Sequence, residues 1–410
     1  MLTVKKLLKV AAAIAVGIAA ALWLNHVMPK TASEPISLSS MPPTEEVAST
    51  TTADIIDALF AGDQSAQMAL AAPVLQDIEQ GISADIFETG SARYDGEWAV
   101  GSYQLAVLGL GQLVQAHPQL VSAYLPAMER SVERLITPEM NQFGIQAWDE
   151  DRLARLHSDS LQDHNGHAYL GYTNLALSML RLHNPNNQFV NLNDRLTASL
   201  LKGLITEPYG LLETYPNEVY PADIAAVIGS IALHDKATGE SHQRELAKLV
   251  QYFCDQFLDP ATGLVFQSVD VATGQPIDRP RASGTALSAY YLSFVDNVVT
   301  AHIFQPVASS QILRLPVGLA IKEYPVGETG DGDIDSGLPV LGASPSATVF
   351  AIGGAKITND KSLYRELYET ILSFSRLPPS QGEFSKVAAD NLLETPLGHS
   401  ILLAMLTADS

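Results

Sequence analysis

Cysteine is almost missing from this chain. Cys254 is the single thiol in 410 residues, so no intrachain disulfide can form. A chain that is 47% hydrophobic has enough apolar material to hold a large core without such links. Cys254 lies in Gln251-Tyr252-Phe253-Cys254-Asp255-Gln256-Phe257-Leu258, on the apolar side of an amphipathic segment. That is the setting of a small buried hydrophobe and not of a nucleophile. Positive charge is scarce too. Lys and Arg number 24 against 45 Asp and Glu, giving a net charge of −21, and the lysine cluster Lys5, Lys6 and Lys9 is confined to the first ten residues. Nucleic acid is not an expected partner, because phosphate binding needs clustered cations. The Gly-x-Ser-x-Gly elbow, the Walker loop and the Rossmann glycine fingerprint are all missing, which argues against covalent serine chemistry and nucleotide cofactors. No cofactor and no metal site is expected.

One long apolar run is present, Val10 to Leu24, directly after the three lysines. Positive charge in front of such a run places the N-terminus in the cytoplasm. Leu7, Leu8, Val27 and Met28 extend it towards the roughly 20 residues that span a bilayer, and Trp23 suits the interface. Residues 1–29 therefore read as an uncleaved anchor in a bacterial inner membrane, or as a signal segment cleaved on secretion. The lack of a small-x-small site directly after Leu24 favours the anchor. Residues 30–53 are rich in Ser, Thr and Pro and read as a flexible tether. The remaining body, 54–410, would lie in the periplasm or outside the cell.

That body carries a repeat. Six times a polar loop runs into an apolar stretch rich in small residues. The junctions are Tyr94-Asp95-Gly96-Glu97-Trp98, His164-Asn165-Gly166-His167, Glu218-Val219-Tyr220-Pro221-Ala222-Asp223, Arg279-Pro280-Arg281-Ala282-Ser283-Gly284, Asp333-Ile334-Asp335-Ser336-Gly337 and Thr395-Pro396-Leu397-Gly398-His399. They recur at intervals of roughly 55 to 70 residues, longer than common solenoid periods. Between them lie amphipathic segments at 64–82, 122–136, 189–205, 241–258, 299–313 and 360–375, with charges at helical spacing. A helix apolar on every side must be surrounded, whereas an amphipathic one faces water. Six of each in alternation predict an all-α (α/α)6 toroid of six hairpins. Alternation makes the inner helices parallel, so their N-termini, with unpaired N–H groups and partial positive charge, meet at one end. The six polar loops would then wall a cup.

The loops carry groups able to move protons. Asp95 and Glu97 flank the start of the first inner helix, where N-capping competes with an acid–base role. Tyr94 and Trp98 beside them would wall a pocket. His164 and His167 flank the second; a histidine at a helix N-terminus stays neutral and can accept or donate a proton. Glu213-Thr214-Tyr215-Pro216-Asn217-Glu218-Val219-Tyr220-Pro221-Ala222-Asp223 is the densest segment, with its backbone stiffened by two prolines. Glu218 and Asp223 are expected catalytic acids or bases here, and Glu213, Asn217 and Tyr220 substrate contacts. Arg281 would bind a substrate carboxylate or neutralise the cup's own acids. Asp331-Gly332-Asp333-Ile334-Asp335 resembles a calcium loop but lacks the downstream bidentate Glu, so Asp333 and Asp335 read as paired acids at the site, with Gly337 opening the next buried helix. Like charges meeting across the cup would raise one pKa and so separate an acid from a base.

The run from Gly210 to Gly274 resembles linalool dehydratase-isomerase. It shares a Gly-Leu-Leu turn, a charged Asn-containing loop, an inner helix, the Ala232-Leu233-His234-Asp235-Lys236-Ala237-Thr238-Gly239-Glu240-Ser241-His242 turn, an outer helix and then Phe257-Leu258-Asp259-Pro260-Ala261-Thr262-Gly263-Leu264. Asn165-Gly166-His167 is similar to the opening of that family's second inner helix, and Trp98 to Leu120 to its first. The similarity spans residues 95 to 315 and implies an (α/α)6 fold with its substrate cavity at the inner-helix N-termini. The positions matching that family's two cysteines hold Glu213 and Ala222, and His167 is the residue that carries over. Carboxylates in place of thiols resemble the six-hairpin glycosidases, whose toroids use paired acids. The expected function is an exported acid–base enzyme, a hydrolase or lyase on a polyhydroxylated, glycan-like substrate. Two alternatives stand beside it: a hydro-lyase or isomerase on a small alcohol, and a noncatalytic toroid binding a ligand or an envelope partner.

Overall fold

The computed structural model describes residues 51–151, 153–154, 168–206, 210–316, 318–332, 342–374 and 394–409. The anchor or signal at 1–29 and most of the tether lie outside the described residues, as do His164, His167, Asp333 and Asp335. Among the described residues no helix is long and apolar enough to cross a membrane. Thr50 to Ser410 is one compact unit.

Its helices are α1 (Thr52–Phe60), α2 (Gln64–Gln80), α3 (Ala92–Ala116), α4 (Val121–Leu135), α5 (Gln142–Trp148), α6 (Leu170–His183), α7 (Val190–Thr206), α8 (Pro221–Thr238), α9 (Gln243–Phe257), α10 (Ala282–Leu292) and α11 (Asn297–Ser310), followed by strands β1 (Ile312–Leu315) and β2 (Gly318–Ile321), and then α12 (Pro345–Ile357), α13 (Lys361–Phe374) and α14 (Pro396–Leu406). The six small-residue helices form a closed ring. Each packs on the next in the order α3, α6, α8, α10, α12, α14, and α14 returns to α3. The amphipathic helices lie outside: α4 on α3 and α6, α7 on α6 and α8, α9 on α8, α11 on α10 and α12, α13 on α12, and α2 on α3 and α14. The expected six-hairpin ring is thus the observed arrangement of the described helices.

Small residues set how tightly the ring closes. A Cβ added at Gly109 would lie 2.6 Å from Leu403 Cγ and 2.9 Å from the Ala404 backbone nitrogen on α14, and one at Gly171 2.9 Å from the Val227 nitrogen on α8. One at Gly229 would run into the carbonyl oxygen of Tyr291 on α10. Real Cβ atoms do not approach backbone so closely, so glycine at these points brings adjacent inner helices into backbone contact. The outer helices show the complementary logic. On α9, Leu246, Leu249, Val250, Phe253 and Phe257 are buried at helical spacing while the intervening charges face out.

Starts and stops follow local chemistry. Pro221 sits at the first position of α8, where its missing N–H costs nothing, and Gly239 ends that helix with φ +78°. Ser344 caps α12 by accepting from the Ala347 N–H at 3.1 Å, and Thr395 caps α14 by accepting from the Gly398 N–H at 3.1 Å.

Four expected boundaries move. The helix α1 begins inside the stretch read as tether, with Thr51 and Asp54 forming a capping box. The first junction, Tyr94 to Trp98, lies within α3, which already starts at Ala92. The fifth inner helix starts at Pro345, not at Gly337. The outer segment read as 299–313 stops at Ser310, because Ile312–Leu315 pairs antiparallel with Gly318–Ile321, Ile312 opposite Ile321. Two β-branched or branched runs around Gly318, with φ +139°, favour a hairpin over helix continuation.

Cys254 is half-buried on α9, and burial, then the nearby Asp255 charge, pushes its thiol pKa up. A thiol so placed stays protonated. Cys254→Ala is expected to retain full turnover, measured against wild type at equal folded concentration; a loss of turnover without a loss of stability would contradict this.

Candidate active site

A cavity of about 840 Å³ opens at one end of the ring. Every inner helix contributes to it near its N-terminus: Tyr94, Glu97 and Trp98 from α3, Tyr172 from α6, Asp223 from α8, Ser283 from α10, Ser346 from α12 and Leu397 from α14. Groups scattered over the whole chain meet there because the inner helices are parallel. Six helix ends also gather partial positive charge, which favours ionised carboxylates in the first turns.

Asp223 is the best-defined group. It sits in the first turn of α8, is 8% exposed, and faces the cavity. The Tyr172 hydroxyl donates to its Oδ1 at 2.5 Å and the Thr214 hydroxyl to its Oδ2 at 2.5 Å. Burial raises its pKa to about 6, against the opposing pull of the Thr214 and Tyr172 hydrogen bonds. A carboxyl group that titrates near neutral pH in a cavity suits proton transfer.

Glu97 lines the same cavity. Its carboxylate accepts from the Tyr215 hydroxyl, and its backbone carbonyl from the Tyr169 hydroxyl at 3.1 Å. Aromatic rings join the two acids: Tyr215 and Tyr169 have centroids 6.4 Å apart, and Tyr169 and Tyr172 4.9 Å. Burial, reinforced by the neighbouring carboxylates, pushes the phenols of Tyr172 and Tyr215 well above their ordinary range. They remain protonated donors at any working pH.

The rim is held by charge. Arg93 donates to both Glu218 oxygens, at 3.1 and 3.3 Å, and its guanidinium lies 4.0 Å above the Tyr215 ring. The Tyr220 hydroxyl also donates to Glu218, at 2.9 Å. Burial opposes ionisation of Arg93, but Glu218 and neighbouring charges raise its pKa overall, so the guanidinium stays charged.

The turn that delivers Asp223 and Thr214 is built locally. Glu218 and Tyr215 exchange backbone hydrogen bonds at 2.8 and 3.4 Å, and Asn217 adopts φ +65°. Proline followed by a residue of positive φ is the type II order. The Glu213 carboxylate accepts from the Asn217 N–H at 2.7 Å, and the Trp148 indole donates to the Thr214 carbonyl at 3.1 Å. The backbone of Val269 clamps Val219 from outside at 3.1 Å.

The structure thus sorts the expected site residues. Tyr94, Glu97, Trp98, Tyr220 and Asp223 line the cavity, and Glu218 binds Arg93 and Tyr220, which do. Asp95 turns back to accept from the Thr89 N–H at 2.9 Å and hydroxyl at 2.6 Å, which ties the preceding loop to α3; the expected side-chain cap is not made, since Ser91 at the N-cap position has no side-chain cap bond. Glu213 and Asn217 serve the turn. Arg281 pairs with Asp278 at 2.7 Å and lies outside the lining. His164, His167, Asp333 and Asp335 lie outside the described residues. Among the described residues no cluster of His, Cys, Asp and Glu could hold a metal ion. Sequence reasoning passed over Arg93, Gln104, Tyr169, Tyr172, Thr214 and Tyr291. The signal was there for three of them: Tyr169 and Tyr172 at helical spacing where an apolar helix opens, and Gln104, an amide in an otherwise apolar stretch. Thr214 and Asp223, the hydrogen-bonded pair, each stand one residue beyond the positions singled out by the resemblance to linalool dehydratase-isomerase.

No family model matches the chain, and no curated protein matches it. Among solved structures it is similar to an unsaturated glucuronyl hydrolase from Streptococcus agalactiae, at 12% identity and a TM-score of 0.44, over 88% of this chain and 96% of that one.

Proposed function

We propose that the cup is the active site of an acid–base enzyme, a hydrolase or lyase that breaks a C–O bond in a hydroxylated small molecule. Asp223 carries this reading: a buried carboxyl facing an 840 Å³ cavity, with its pKa raised to about 6. Both its oxygens accept hydrogen bonds from hydroxyls that stay protonated, which suits the base form. Asp223 would take a proton from the substrate or from water, and Tyr172 and Thr214 would fix its orientation. Glu97 is the second carboxylate, hydrogen-bonded to Tyr215 and able to supply or stabilise charge at the bond that breaks. We place the working body outside the cytoplasm, on the motive of the lysine-led apolar run at the N-terminus.

A glycan-like substrate fits the hydroxyl-bearing wall of Thr89, Tyr94, Thr214, Ser283 and Ser346 beside the Trp98 indole. A small alcohol undergoing dehydration is the second reading. It is favoured by the apolar side of the cavity, where Phe87, Leu105, Leu287, Phe350, Leu397 and Ile401 meet. A panel of saccharides, uronic acids and terpenols, assayed for thermal shift and then for product, separates the two. In the class that turns over, Glu97→Gln is expected to reduce kcat by about a hundredfold, the scale of a lost proton-transfer group. Ligands that stabilise the protein but are never converted, by wild type or variant, would instead mark a binding toroid.

A further inference from the structure

The deep wall of the cavity holds an amide with an unmet hydrogen bond. Gln104 lies on α3, two turns beyond Glu97, and is fully buried. It lines the cavity, and its Nε2 has no hydrogen-bond partner among the described residues. Its Oε1 receives only a long bond from the Tyr291 hydroxyl, at 3.5 Å. Turning the amide over exchanges donor for acceptor and leaves one end unmet all the same. Gln112, two further turns along the same helix, is an amide met at both ends within the protein. Its Nε2 donates to the Tyr290 hydroxyl at 2.9 Å and its Oε1 accepts from the Thr407 hydroxyl at 3.0 Å. A buried polar group left without a partner costs stability, so one retained against a cavity is explained by a ligand that completes it.

The charge around it limits what that ligand is. Arg93 is the one cationic side chain among the described residues of the lining, and it is already paired with Glu218 at the rim. Against it stand the carboxylates of Glu88, Glu97 and Asp223. Asp95 and Asp223 stand in the first turns of α3 and α8, while the first turns of α6, α10, α12 and α14 hold no acidic residue. Among the described residues of the lining, carboxylates outnumber cations, and an anionic substrate would find no unpaired cation there.

We infer that Gln104 is the specificity residue of the cup and that the substrate is a neutral hydroxylated molecule whose inner oxygen hydrogen-bonds the Gln104 amide. This rests on the reading of the cup as a substrate site but not on the identity of the reaction. The test uses matched pairs alike in shape and different in charge: methyl glucoside with methyl glucuronide, and geraniol with geranic acid. Calorimetry at pH 7.5 is expected to show one neutral member binding at least about tenfold more tightly than its acid. Gln104→Leu and Gln104→Met should weaken that neutral ligand by about tenfold or more, while their melting temperatures hold or rise, since the change removes an unmet polar group. Gln112→Leu, which strands the buried Tyr290 hydroxyl, should lower the melting temperature. Acids that bind as well as their neutral partners, Gln104 variants that bind as wild type does, or a wild-type cup that takes no member of either pair at millimolar concentration each overturn the inference. Binding that follows this pattern in a protein whose turnover survives Asp223→Asn would sink the acid–base assignment alone.

Discussion

Replacing Asp223 with asparagine is expected to lower turnover about a hundredfold or more and to leave the toroid folded. The side chain stays isosteric, keeps an oxygen for one of the two hydroxyls, and can turn its amide towards the other. What disappears is a proton acceptor that titrates near pH 6. If Asp223 is the base, kcat/KM of the wild type rises with pH through about 6 and is flat above it. A profile that falls through that value would assign it as the acid instead.

The same substitution has a stability signature of known sign. The folded-state pKa lies above the unfolded value, so the folded protein holds this proton more tightly. Stability is therefore greatest below the unfolded pKa of 3.8 and is lost as pH rises through about 6. The shift corresponds to about 3 kcal/mol of penalty for the buried carboxylate at pH 7. Asp223→Asn removes that term. Denaturant melts of wild type and variant should differ little at pH 4, and the variant should be the more stable at pH 8. A variant that loses stability at pH 8 would mean that the two hydroxyl hydrogen bonds outweigh desolvation, and that Asp223 is structural.

Gly229→Ala is expected to loosen the ring. Alanine favours the helix by about 1 kcal/mol, but the new methyl would collide with the Tyr291 carbonyl of α10, and overpacking of this kind costs about 1–3 kcal/mol or more. A backbone atom cannot rotate away as a side chain does, so the upper end applies and the net loss is about 2 kcal/mol. Because Tyr291 lines the cavity, ligand binding should weaken as well. Gly101→Ala is the control. Its Cβ would meet Leu397 Cδ1 at 3.5 Å, an ordinary contact, so the helix gain remains and stability should not fall. Equal effects of the two changes in urea titrations would refute close backbone approach as the reason for glycine at 229.

The alternation of apolar and amphipathic segments was legible in the sequence because helical period and side-chain polarity are local properties. The six hairpins and the parallel inner ring followed from it, since an apolar helix must be surrounded. The alternation also placed Glu97, Tyr220 and Asp223 at one end. It could not decide which way a side chain turns. Asp95 and Glu97 look alike on the page, two residues apart in the same opening. On a helix that spacing puts them about 200° apart, so Glu97 reaches the cavity while Asp95 reaches back to Thr89. Glu213 looks like a site residue until the turn through Asn217 claims it. Tyr172, Thr214 and Gln104 gain their roles only from residues far along the chain. Sequence alone thus determined the toroid and the end of it at which the cavity opens. Tertiary structure decided which carboxyl is desolvated enough to titrate near neutrality, because desolvation is set by everything packed around a group and not by its neighbours in the chain.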